Sequence, residues 1–596
     1  MAMYKAPVED MMFLLNEVFQ ADQIWQSMPG TSEVSSDLAK AILTEGAKIC
    51  ETLLYPLNRS GDEEACQFDG ENVTTPPGFK AAYAQFAQGG WVGLGGEPDY
   101  SGQGMPKMLT VLFEEMMFAA NASFALYPGL TAGAALALVL HGTDAMKKTY
   151  LHKMYDGTWS GTMCLTEPHC GSDLGILRTK ATPNSDGSYA LKGTKIFITG
   201  GDHDLTENIV HFVLAKLPDA PKGSKGISLF LVPKILVNED GSLGEANDVR
   251  CGSIEHKMGI QGSATCVLNF DEAKGWLVGE VNKGLAAMFV MMNYERLSIS
   301  LQGQGAMEMA YQHAVLYAKE RLQGRSPLGV QSPDQEADAL LVHPDVRRML
   351  LTIKAYNEGC RAFAMYAGLQ LDRAKYHPEP AVRERAEQLV ALVTPIAKAY
   401  LTDRGFECAV LAQQVFGGHG YIREWGVEQL VRDSRIAQIY EGTNGIQAMD
   451  LLGRKIFGSN GQILAPLMAD IAETVDAARQ HALLMAMADA VADTASALQN
   501  VTSDVLHRAQ NNPAEIGAAA VEYLELAGLA VLAMMWLKMA TVAADRLAQG
   551  TNELATAKLA VACFFSERLL PRAMSLAKNI SAGSATLMAP DVVLFR

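Results

Sequence analysis

Residues 436–447 read IAQIYEGTNGIQ, and Glu441 is the only charged side chain among them. The segment just before, VRDSR (431–435), is rich in charge, and the charges then stop. Small residues follow Glu441 and leave room beside it. Two interpretations are open at this point. Glu441 is either an acid in the first turn of the next helix, where the helix dipole favours it, or a carboxylate kept for chemistry.

The composition is that of a soluble protein of several domains. The 596 residues are 49% hydrophobic and carry a net charge of −17, which argues against binding to nucleic acid or to an anionic membrane surface. The nine cysteines include no CxxC pair, so we expect free thiols and no metal site. The opening MAMYKAPVEDMM lacks the features of a signal peptide. We expect a cytoplasmic protein of bacterial type without stable membrane insertion.

Hydrophobic periodicity divides the chain into four segments. Residues 1–160 are predicted to be helical, and residues 161–275 contain short β-branched and aromatic runs that predict strands. Residues 280–456 return to long helical patterns, interrupted by a polar insertion at 330–344. An Ala-rich helical segment, 460–596, follows. The predicted fold class is α+β and mainly α.

Five further stretches carry residue types suited to a ligand site, although each has an ordinary structural explanation. A Pro/Gly turn with hydroxyls binds a phosphate or the polar edge of a ring, but also simply ends a strand. Arginine pairs bind pyrophosphate, but are also often solvated. Paired glycines admit a ligand close to the backbone, but also end helices. These stretches are MCLTEPHCGSDLG (163–175), KIFITGG (195–201), MMNYERL (291–297), KERLQGRSPLG (319–329) and QQVFGGHGYIREW (413–425).

The order and spacing of these motifs resemble the acyl-CoA dehydrogenase family over about residues 35–456. LTEPHCGSD is similar to the flavin and thioester loop of that family, and KIFITGG is similar to its second flavin strand. QVFGGHGY followed by RIAQIYEGT resembles its C-terminal signature. Gln414 precedes Glu441 by 27 residues and Arg296 precedes Arg321 by 25, spacings that match the family.

The resemblance implies an N-terminal helical domain, a middle β-barrel-like domain and a C-terminal four-helix bundle, with FAD between the last two. It also implies that Glu441 removes the α-proton of an acyl-CoA thioester while the β-hydrogen leaves as hydride to flavin N5, giving a trans-2-enoyl-CoA. Burial would raise the pKa of such a base towards the working pH. Gly442 would leave room for the thioester, whose carbonyl would accept hydrogen bonds from the Glu441 N–H and a flavin ribityl hydroxyl.

Other residues match family positions that bind the cofactor or the substrate. The flavin-binding matches are Thr166, Ser172, Ile198, Thr199, Arg321, Gln323, Gln414, Gly417, Gly418 and Thr443. The substrate-binding matches are Ser172, Asn293, Arg296 and Gly442. In the family the pyrophosphate and adenine contacts, which match 321–323 and 414–418, come from a neighbouring subunit. The resemblance therefore implies a homodimer.

Three departures from the family pattern stand out. Phe197 occupies a position where many members have Trp, which would alter stacking on the flavin or its shielding. His169 and Cys170 replace small residues in the flavin loop. Glu295 lies on the helix where a minority of members place the catalytic glutamate. We favour Glu441 as the base because the IYEGT sequence around it is intact, and Glu295 is the alternative.

The 460–596 segment resembles the extra helical domain of a long, dimeric bacterial branch of the family. That branch implies a fatty acyl-CoA or 3-methylmercaptopropionyl-CoA as substrate and an electron-transferring flavoprotein as acceptor. Helices early in the chain and near Met291 and Met292 would form the floor of the acyl pocket. The motifs shared by the branch do not identify the acyl group.

Three other functions were weighed against a dehydrogenase. An acyl-CoA oxidase would share the fold and the first half-reaction but would pass electrons to oxygen. A DNA-associated relative would need a basic C-terminal domain, whereas residues 461–596 hold nine Lys/Arg and thirteen Asp/Glu. A non-catalytic acyl-CoA binding protein would not need Glu441. We favour the dehydrogenase over the oxidase, and both over the other two.

Overall fold

The computed structural model describes residues 4–590 and residue 594. A helical region comes first and contains one two-stranded hairpin. Its helices are α1 (Val8–Phe13), α2 (Ala21–Gln26), α3 (Ser36–Ile49), α4 (Pro56–Glu64), α5 (Phe79–Gln88), α6 (Lys107–Ala120), α7 (Ala122–His141) and α8 (Asp144–Tyr155). The hairpin strands are β1 (Gln67–Phe68) and β2 (Val73–Thr74).

The sheet region follows α8, where the β-branched and aromatic runs predicted strands. Its strands are β3 (Trp159–Cys164), β4 (Lys180–Pro183), β5 (Tyr189–Thr199), β6 (Asn208–Lys216), β7 (Ile227–Pro233), β8 (Ile235–Val237), β9 (Leu243–Ala246), β10 (Val249–Ile254) and β11 (Thr265–Val278). The predicted strands within KIFITGG, IVHFVLAKL, GISLFLVPKI and ATCVLNF are confirmed.

The last region is helical, as predicted. Its helices up to residue 456 are α9 (Gly284–Glu320), α10 (Pro344–Tyr376), α11 (Pro380–Phe416), α12 (Val427–Arg435) and α13 (Asn444–Met449), the last continued by π-helical turns over Asp450–Ile456. Beyond them lie α14 (Ala465–Ala478), α15 (Met485–Ala509), α16 (Ala514–Gln549), α17 (Glu553–Phe564) and α18 (Arg572–Ser581). The polar insertion runs between α9 and α10.

The sheet closes on itself. Strand β11 pairs with β5, β5 with β4, β4 with β6 and β6 with β7, and β7 returns to β11. Strand β3 adds to β6 in parallel and β10 adds to β11 in antiparallel. Strands β6 and β7 are buried along almost their whole length, which explains their continuous apolar sequence. Closure leaves β5, β4, β6, β7 and β11 without a free edge.

The chain forms two compact units that do not follow its order. The first unit comprises residues 1–44, 107–115 and 299–596, and the second comprises 45–106 and 116–298. The second unit contains the sheet and helix α7, which packs with α8, β3 and the start of α9 in a core that includes Leu130 and Met291. The buried helix predicted from GLTAGAALALVL is confirmed as part of α7.

Helix α16 forms the centre of the first unit. The indole N–H of its Trp536 donates to the carbonyl of Ala355 on α10 at 3.0 Å. A Cβ placed on Gly528 of α16 would lie 2.3 Å from the ring of Tyr400 on α11, so glycine allows this close packing. In the described part of the chain, α7 and α16 are long and apolar enough to cross a membrane, but 72% and 83% of their most apolar stretches are buried inside the protein.

A buried cluster of charges joins distant parts of the first unit. The guanidinium of Arg361 on α10 binds carboxylates from three elements: Asp10, Glu115 and Glu308. The ammonium of Lys558 on α17 binds Asp10 and, at 2.8 Å, Glu358. Asp10 therefore contacts both cations, so that α1, α10 and α17 are held by one ionic network.

Candidate active site

Glu441 lies in a loop between a 3₁₀ turn, Ile436–Gln438, and helix α13. Its φ is +54° and that of Gly442 is +82°, so two consecutive residues have left-handed backbones. Thr443 caps α13, because its hydroxyl oxygen accepts a hydrogen bond from the N–H of Ile446 at 3.3 Å. Glu441 therefore precedes the helix, and the interpretation of it as a first-turn acid is wrong.

Buried polar side chains hold this loop from two sides. The Nε2 of Gln447 donates to the carbonyl oxygens of Glu441 at 3.2 Å and Gly442 at 3.3 Å. The Nζ of Lys398, on α11, donates to the Gly442 carbonyl at 2.8 Å and to the Oδ1 of Asn444 at 2.9 Å. A Cβ on Gly442 would lie 2.6 Å from the Gln447 amide nitrogen, which accounts for glycine there. The backbone around Glu441 is fixed by these bonds.

Tyr440, the residue before Glu441, adds a further hydrogen bond that holds the loop. The hydroxyl of Tyr440 donates to the Oε1 of Gln302 on α9 at 2.6 Å. The Nε2 of Gln302 donates in turn to the carbonyl of Asp433 on α12 at 3.2 Å. The Glu441 loop is thereby connected to three helices of the first unit, α9, α11 and α12.

Glu295, the alternative base, lies on α9 within the second unit. Its side chain is 2% exposed and that of the adjacent Arg296 is 5% exposed, so a solvated pair on the helix surface is excluded. The Nη1 of Arg296 donates to the Oδ1 of Asn293 at 3.1 Å. A Cβ on Gly133 of α7 would lie 2.4 Å from the Glu295 Oε1, so α7 approaches this carboxyl closely. The two candidate acids are held in different compact units.

The loop that carries Thr166 and Ser172 is organised around the carboxylate of Glu167. This carboxylate accepts hydrogen bonds from the N–H of Arg178 at 2.7 Å and from the N–H and hydroxyl of Thr179 at 3.0 and 2.6 Å. Ser172 itself is exposed, and Thr166 is half-buried. The loop thus keeps a fixed backbone while its hydroxyls remain accessible.

A buried ion pair joins that loop to the strand that carries Ile198 and Thr199. The Nζ of Lys195, which is 0% exposed, donates to Glu167 at 2.9 Å and to the Leu165 carbonyl at 3.0 Å. Burial raises the pKa of Glu167, but the Lys195 charge and the hydrogen bonds described above outweigh it and lower the pKa to about 2. The structure therefore brings together two of the sequence motifs, residues 165–173 and 195–201.

Phe197 departs from the regular geometry of β5. Its φ is +59° and its side chain is 59% exposed, whereas the next residue, Ile198, is buried in the barrel core. A left-handed backbone is costly for a bulky residue. The barrel therefore holds the aromatic ring of Phe197 outward.

The remaining flavin-binding matches lie at the ends of α9 and α11. Arg321, Gln323, Gln414, Gly417 and Gly418 are exposed. A Cβ placed on either glycine would meet no atom within 4 Å, so the backbone of this turn is open to close approach. The structure therefore leaves these residues accessible to a ligand or to a second subunit.

An aromatic cluster brings the two helix ends together. The rings of Tyr317 on α9 and Phe416 on α11 stack with centroids 4.1 Å apart. The Tyr317 hydroxyl lies 2.9 Å from the Nδ1 of His419, whose ring stacks on Trp425 at 4.2 Å. The motif of residues 413–425 thus contacts the end of α9, just before the motif of residues 319–329, through Tyr317, which the sequence analysis did not single out.

Sequence reasoning also missed the polar residues that hold the loops. Glu167, Lys195 and Gln447 look ordinary in their motifs. A signal does exist for Lys398, which is the only charged residue between 387 and 403 in an apolar helix. A lone charge inside a buried helix needs a partner, and here its hydrogen bonds lead to the Glu441 loop.

The sequence of this chain matches known protein families and relatives along nearly its whole length. Family models for the acyl-CoA dehydrogenase N-terminal, middle and C-terminal domains match residues 39–158, 162–273 and 282–456, and an acetyl-CoA dehydrogenase C-terminal-like model matches 467–591. The chain is 42% identical to 3-methylmercaptopropionyl-CoA dehydrogenase of Ruegeria pomeroyi over 95% of this chain and 96% of that protein. The chain belongs to the acyl-CoA dehydrogenase family. The resemblance seen in the sequence and the predicted fold class are confirmed.

Two other similar proteins cover all or nearly all of this acyl-CoA dehydrogenase. A broad-specificity linear acyl-CoA dehydrogenase of Mycobacterium tuberculosis is 34% identical over 100% of both chains. An acyl-CoA dehydrogenase of Bacillus anthracis, solved in complex with FAD, has a TM-score of 0.74 and 20% identity and covers 96% of this chain and 91% of its own. The latter likeness shows the fold, and FAD is the cofactor bound in the family.

Proposed function

We propose that this acyl-CoA dehydrogenase oxidises a fatty acyl-CoA or 3-methylmercaptopropionyl-CoA to the trans-2-enoyl-CoA, with Glu441 as the base. The observation that carries the proposal is the Glu441 loop, in which a carboxylate stands on a left-handed backbone fixed by Gln447 and Lys398. A general base must be held in one place relative to the proton that it removes. The substrate range follows the names of the two similar proteins from Ruegeria and Mycobacterium.

The residues present fit FAD as the cofactor. The motifs 165–173 and 195–201, which the Glu167–Lys195 ion pair joins, offer three hydroxyls to the flavin, those of Thr166, Ser172 and Thr199. The backbone beside Ile198 and the hydroxyl of Thr443 are further contacts. FAD, when bound, supplies the hydride acceptor for the β-hydrogen, a group that the twenty side chains lack.

Glu441 would take the α-proton onto its carboxylate, which becomes a neutral acid. As the proton leaves, negative charge develops on the thioester oxygen, and the Glu441 N–H would donate to it. Gly442, which has no side chain, leaves space for the thioester beside the base. Ser172, Asn293 and Arg296 would bind the CoA part and orient the substrate.

We propose that the enzyme is a cytoplasmic homodimer that passes electrons to an electron-transferring flavoprotein. Arg321, Gln323, Gln414, Gly417 and Gly418 would bind the pyrophosphate and adenine of the FAD of the second subunit. Their exposure in a single chain supports this arrangement. Apolar side chains on the same two loops are exposed as well: Leu328 and Tyr421. Such side chains are expected at a subunit interface.

Anaerobic bleaching of the flavin near 450 nm tests the reaction and the base together. Acyl-CoAs of four to sixteen carbons and 3-methylmercaptopropionyl-CoA are added to the wild type, Glu441→Gln and Glu295→Gln. We expect bleaching of the wild type and a loss of about 10²–10⁴-fold in its rate for Glu441→Gln. Glu295→Gln is expected to keep most of the rate.

Other outcomes would change the proposal in distinct ways. Loss of bleaching only in Glu295→Gln would move the base to α9. No bleaching with any thioester, in protein that contains FAD, would exclude these substrates. Hydrogen peroxide formed at the bleaching rate in air would make the enzyme an oxidase.

A further inference from the structure

Lys398 connects helix α11 to the Glu441 loop. It lies in the middle of α11, and its side chain is 0% exposed. Its ammonium donates to the carbonyl of Gly442, the residue directly after Glu441, at 2.8 Å, and to the Oδ1 of Asn444 at 2.9 Å. Burying an ammonium costs several kcal/mol unless its hydrogen bonds offset the loss of water. A buried lysine in this place therefore calls for a role.

The same stretch of α11 binds the loop at further points. The Nδ2 of Asn444 donates to the carbonyl of Ala399 at 3.2 Å, to the hydroxyl of Thr402 at 3.0 Å and to the Oδ1 of Asp403 at 2.7 Å. Residues 398–403 of α11 thus hold residues 442–444 by a row of hydrogen bonds. Lys398 supplies the bond nearest to Glu441.

The backbone conformation explains why such a bond is needed. Glu441 and Gly442 both have positive φ, a conformation that costs an L-residue roughly 1–2 kcal/mol. A loop of this kind relaxes unless its carbonyls are held from outside. The carbonyl of Gly442 is held by Lys398 on one side and by Gln447 on the other. Without Lys398 the carbonyl of Gly442 keeps the weaker amide bond from Gln447, at 3.3 Å.

We propose that Lys398 is a positioning residue for the catalytic base: it fixes the left-handed Glu441–Gly442 backbone by clamping the Gly442 carbonyl to α11. The proposal rests on Glu441 being the base, as proposed above. In this role Lys398 contacts neither substrate nor cofactor. It acts through the place at which the carboxylate is held.

The test uses Lys398→Met, which keeps the length and the apolar stem of the side chain and removes its donors. Flavin reduction is followed anaerobically by stopped flow in FAD-containing protein, which gives the rate constant of reduction and the substrate Kd separately. We expect the rate constant to fall about 10- to 100-fold, since a misplacement of about 1 Å costs up to 10²-fold. The Kd is expected to change less than about threefold.

Two companion variants separate positioning from general damage. Lys558→Met removes another buried lysine of the same unit, which binds Asp10 and Glu358, and is expected to lower the thermal midpoint without changing the rate of flavin reduction. Asn444→Ala breaks the neighbouring bonds of the same linkage. Its effect on the rate should be non-additive with that of Lys398→Met, because both act on one loop.

Each remaining outcome decides against the proposal. If Lys398→Met reduces its flavin at the wild-type rate, the proposed role of Lys398 is overturned. If Glu441→Gln is inactive in the same series, the proposed function nevertheless stands. Full activity of Glu441→Gln overturns both the assignment of the base and the role of Lys398. A rate loss in Lys398→Met that merely follows lost FAD and a lowered thermal midpoint would make Lys398 a structural residue only.

Discussion

Two residues in the candidate site have a backbone conformation that L-residues rarely adopt. Glu441 has a φ of +54° and Phe197 a φ of +59°. Backbone strain of this kind persists only where the surroundings over-determine it. The Gln447 and Lys398 bonds supply this constraint at Glu441. Phe197 lies at an irregularity in the pairing of β5 with β11, between the paired residues Lys195 and Ile198 that hold the strand on either side.

The strain at Glu441 can be measured by comparing two substitutions that both remove the carboxylate. Glu441→Gly should be more stable than Glu441→Ala by about 1 kcal/mol, because glycine adopts positive φ without a steric cost. Both variants should be inactive. The measurement is the thermal midpoint of the FAD-containing protein.

The matched control for this pair is Glu387, an exposed residue inside α11. There the order should reverse, with Glu387→Ala more stable than Glu387→Gly by about 1 kcal/mol, as in any exposed helix interior. If Glu441→Ala were also more stable than Glu441→Gly, the left-handed backbone at residue 441 would not be a source of strain.

The chemical identity of Glu441 was readable from the sequence, but its conformation was not. The IYEGT pattern singled out the carboxylate, whereas its position before α13 depends on Thr443 capping that helix and on two side chains distant in sequence. Local patterns do not report such long-range hydrogen bonds. Lys195 was missed for the same reason, since its burial is not visible in its own motif, whereas Lys398 is marked in the sequence as a lone charge in an apolar stretch of helix.

At the level of elements, the ion pair of Glu167 with Lys195 holds two segments that we propose bind the flavin against each other. The pair joins the loop after β3 to strand β5, which are distant in the chain order. The run KIFITGG predicted β5 correctly, whereas β3 lies outside the apolar runs from which strands were predicted. The closure of the sheet through β7, which pairs with β6 and β11, arises from register between strands and is not contained in any one of them.

Breaking the pair should release FAD. Glu167→Gln leaves the buried Lys195 charge without its carboxylate, so we expect a loss of about 3–5 kcal/mol in stability and a clear drop in FAD content after gel filtration. Lys192→Met is the matched control on the same strand, because Lys192 and Asp271 form an exposed pair at 3.1 Å. The control should retain FAD and change stability by less than about 1 kcal/mol. Equal FAD loss in both variants would contradict a specific role of the Glu167–Lys195 pair in FAD binding.

At the level of the whole molecule, the first unit is assembled from separate parts of the chain. The Arg361 and Lys558 network ties α1 to α10 and to α17. Hydrophobic patterning predicted four segments in chain order, and their exact bounds remain a prediction. Patterning could not show that residues 1–44 fold into one unit with residues 299–596, because that grouping depends on contacts across the full length of the chain.

The network also predicts a pH dependence of stability. Burial raises the pKa of Asp10, but Lys558 and Arg361 outweigh it and lower the pKa from 3.8 to about 2. A lowered carboxyl pKa stabilises the fold above pH 3.8, and this stabilisation disappears as the pH falls towards 2. Lys558→Met should therefore unfold at a lower temperature than the wild type by an amount that is constant from pH 8 to pH 5.

Below about pH 4 the difference between the two proteins should narrow, since Asp10 becomes protonated in both. The control is Lys578→Met, which removes an exposed lysine of α18 and should follow the wild type at every pH. Thermal melts over the pH range supply the measurement. If the difference in unfolding temperature between the wild type and Lys558→Met became larger in acid, Asp10 would not be stabilised as a carboxylate.

The divided first unit has a consequence for biosynthesis. A ribosome adds about 5–20 residues per second, so the chain takes roughly half a minute to two minutes to make. Everything needed for the barrel has been made once residue 298 has been added, and the barrel can close as soon as this part of the nascent chain has left the ribosome. Asp10, made among the first residues, must wait for Lys558, more than five hundred residues later. During that interval the amino-terminal segment is the part of the nascent polypeptide that most needs a chaperone.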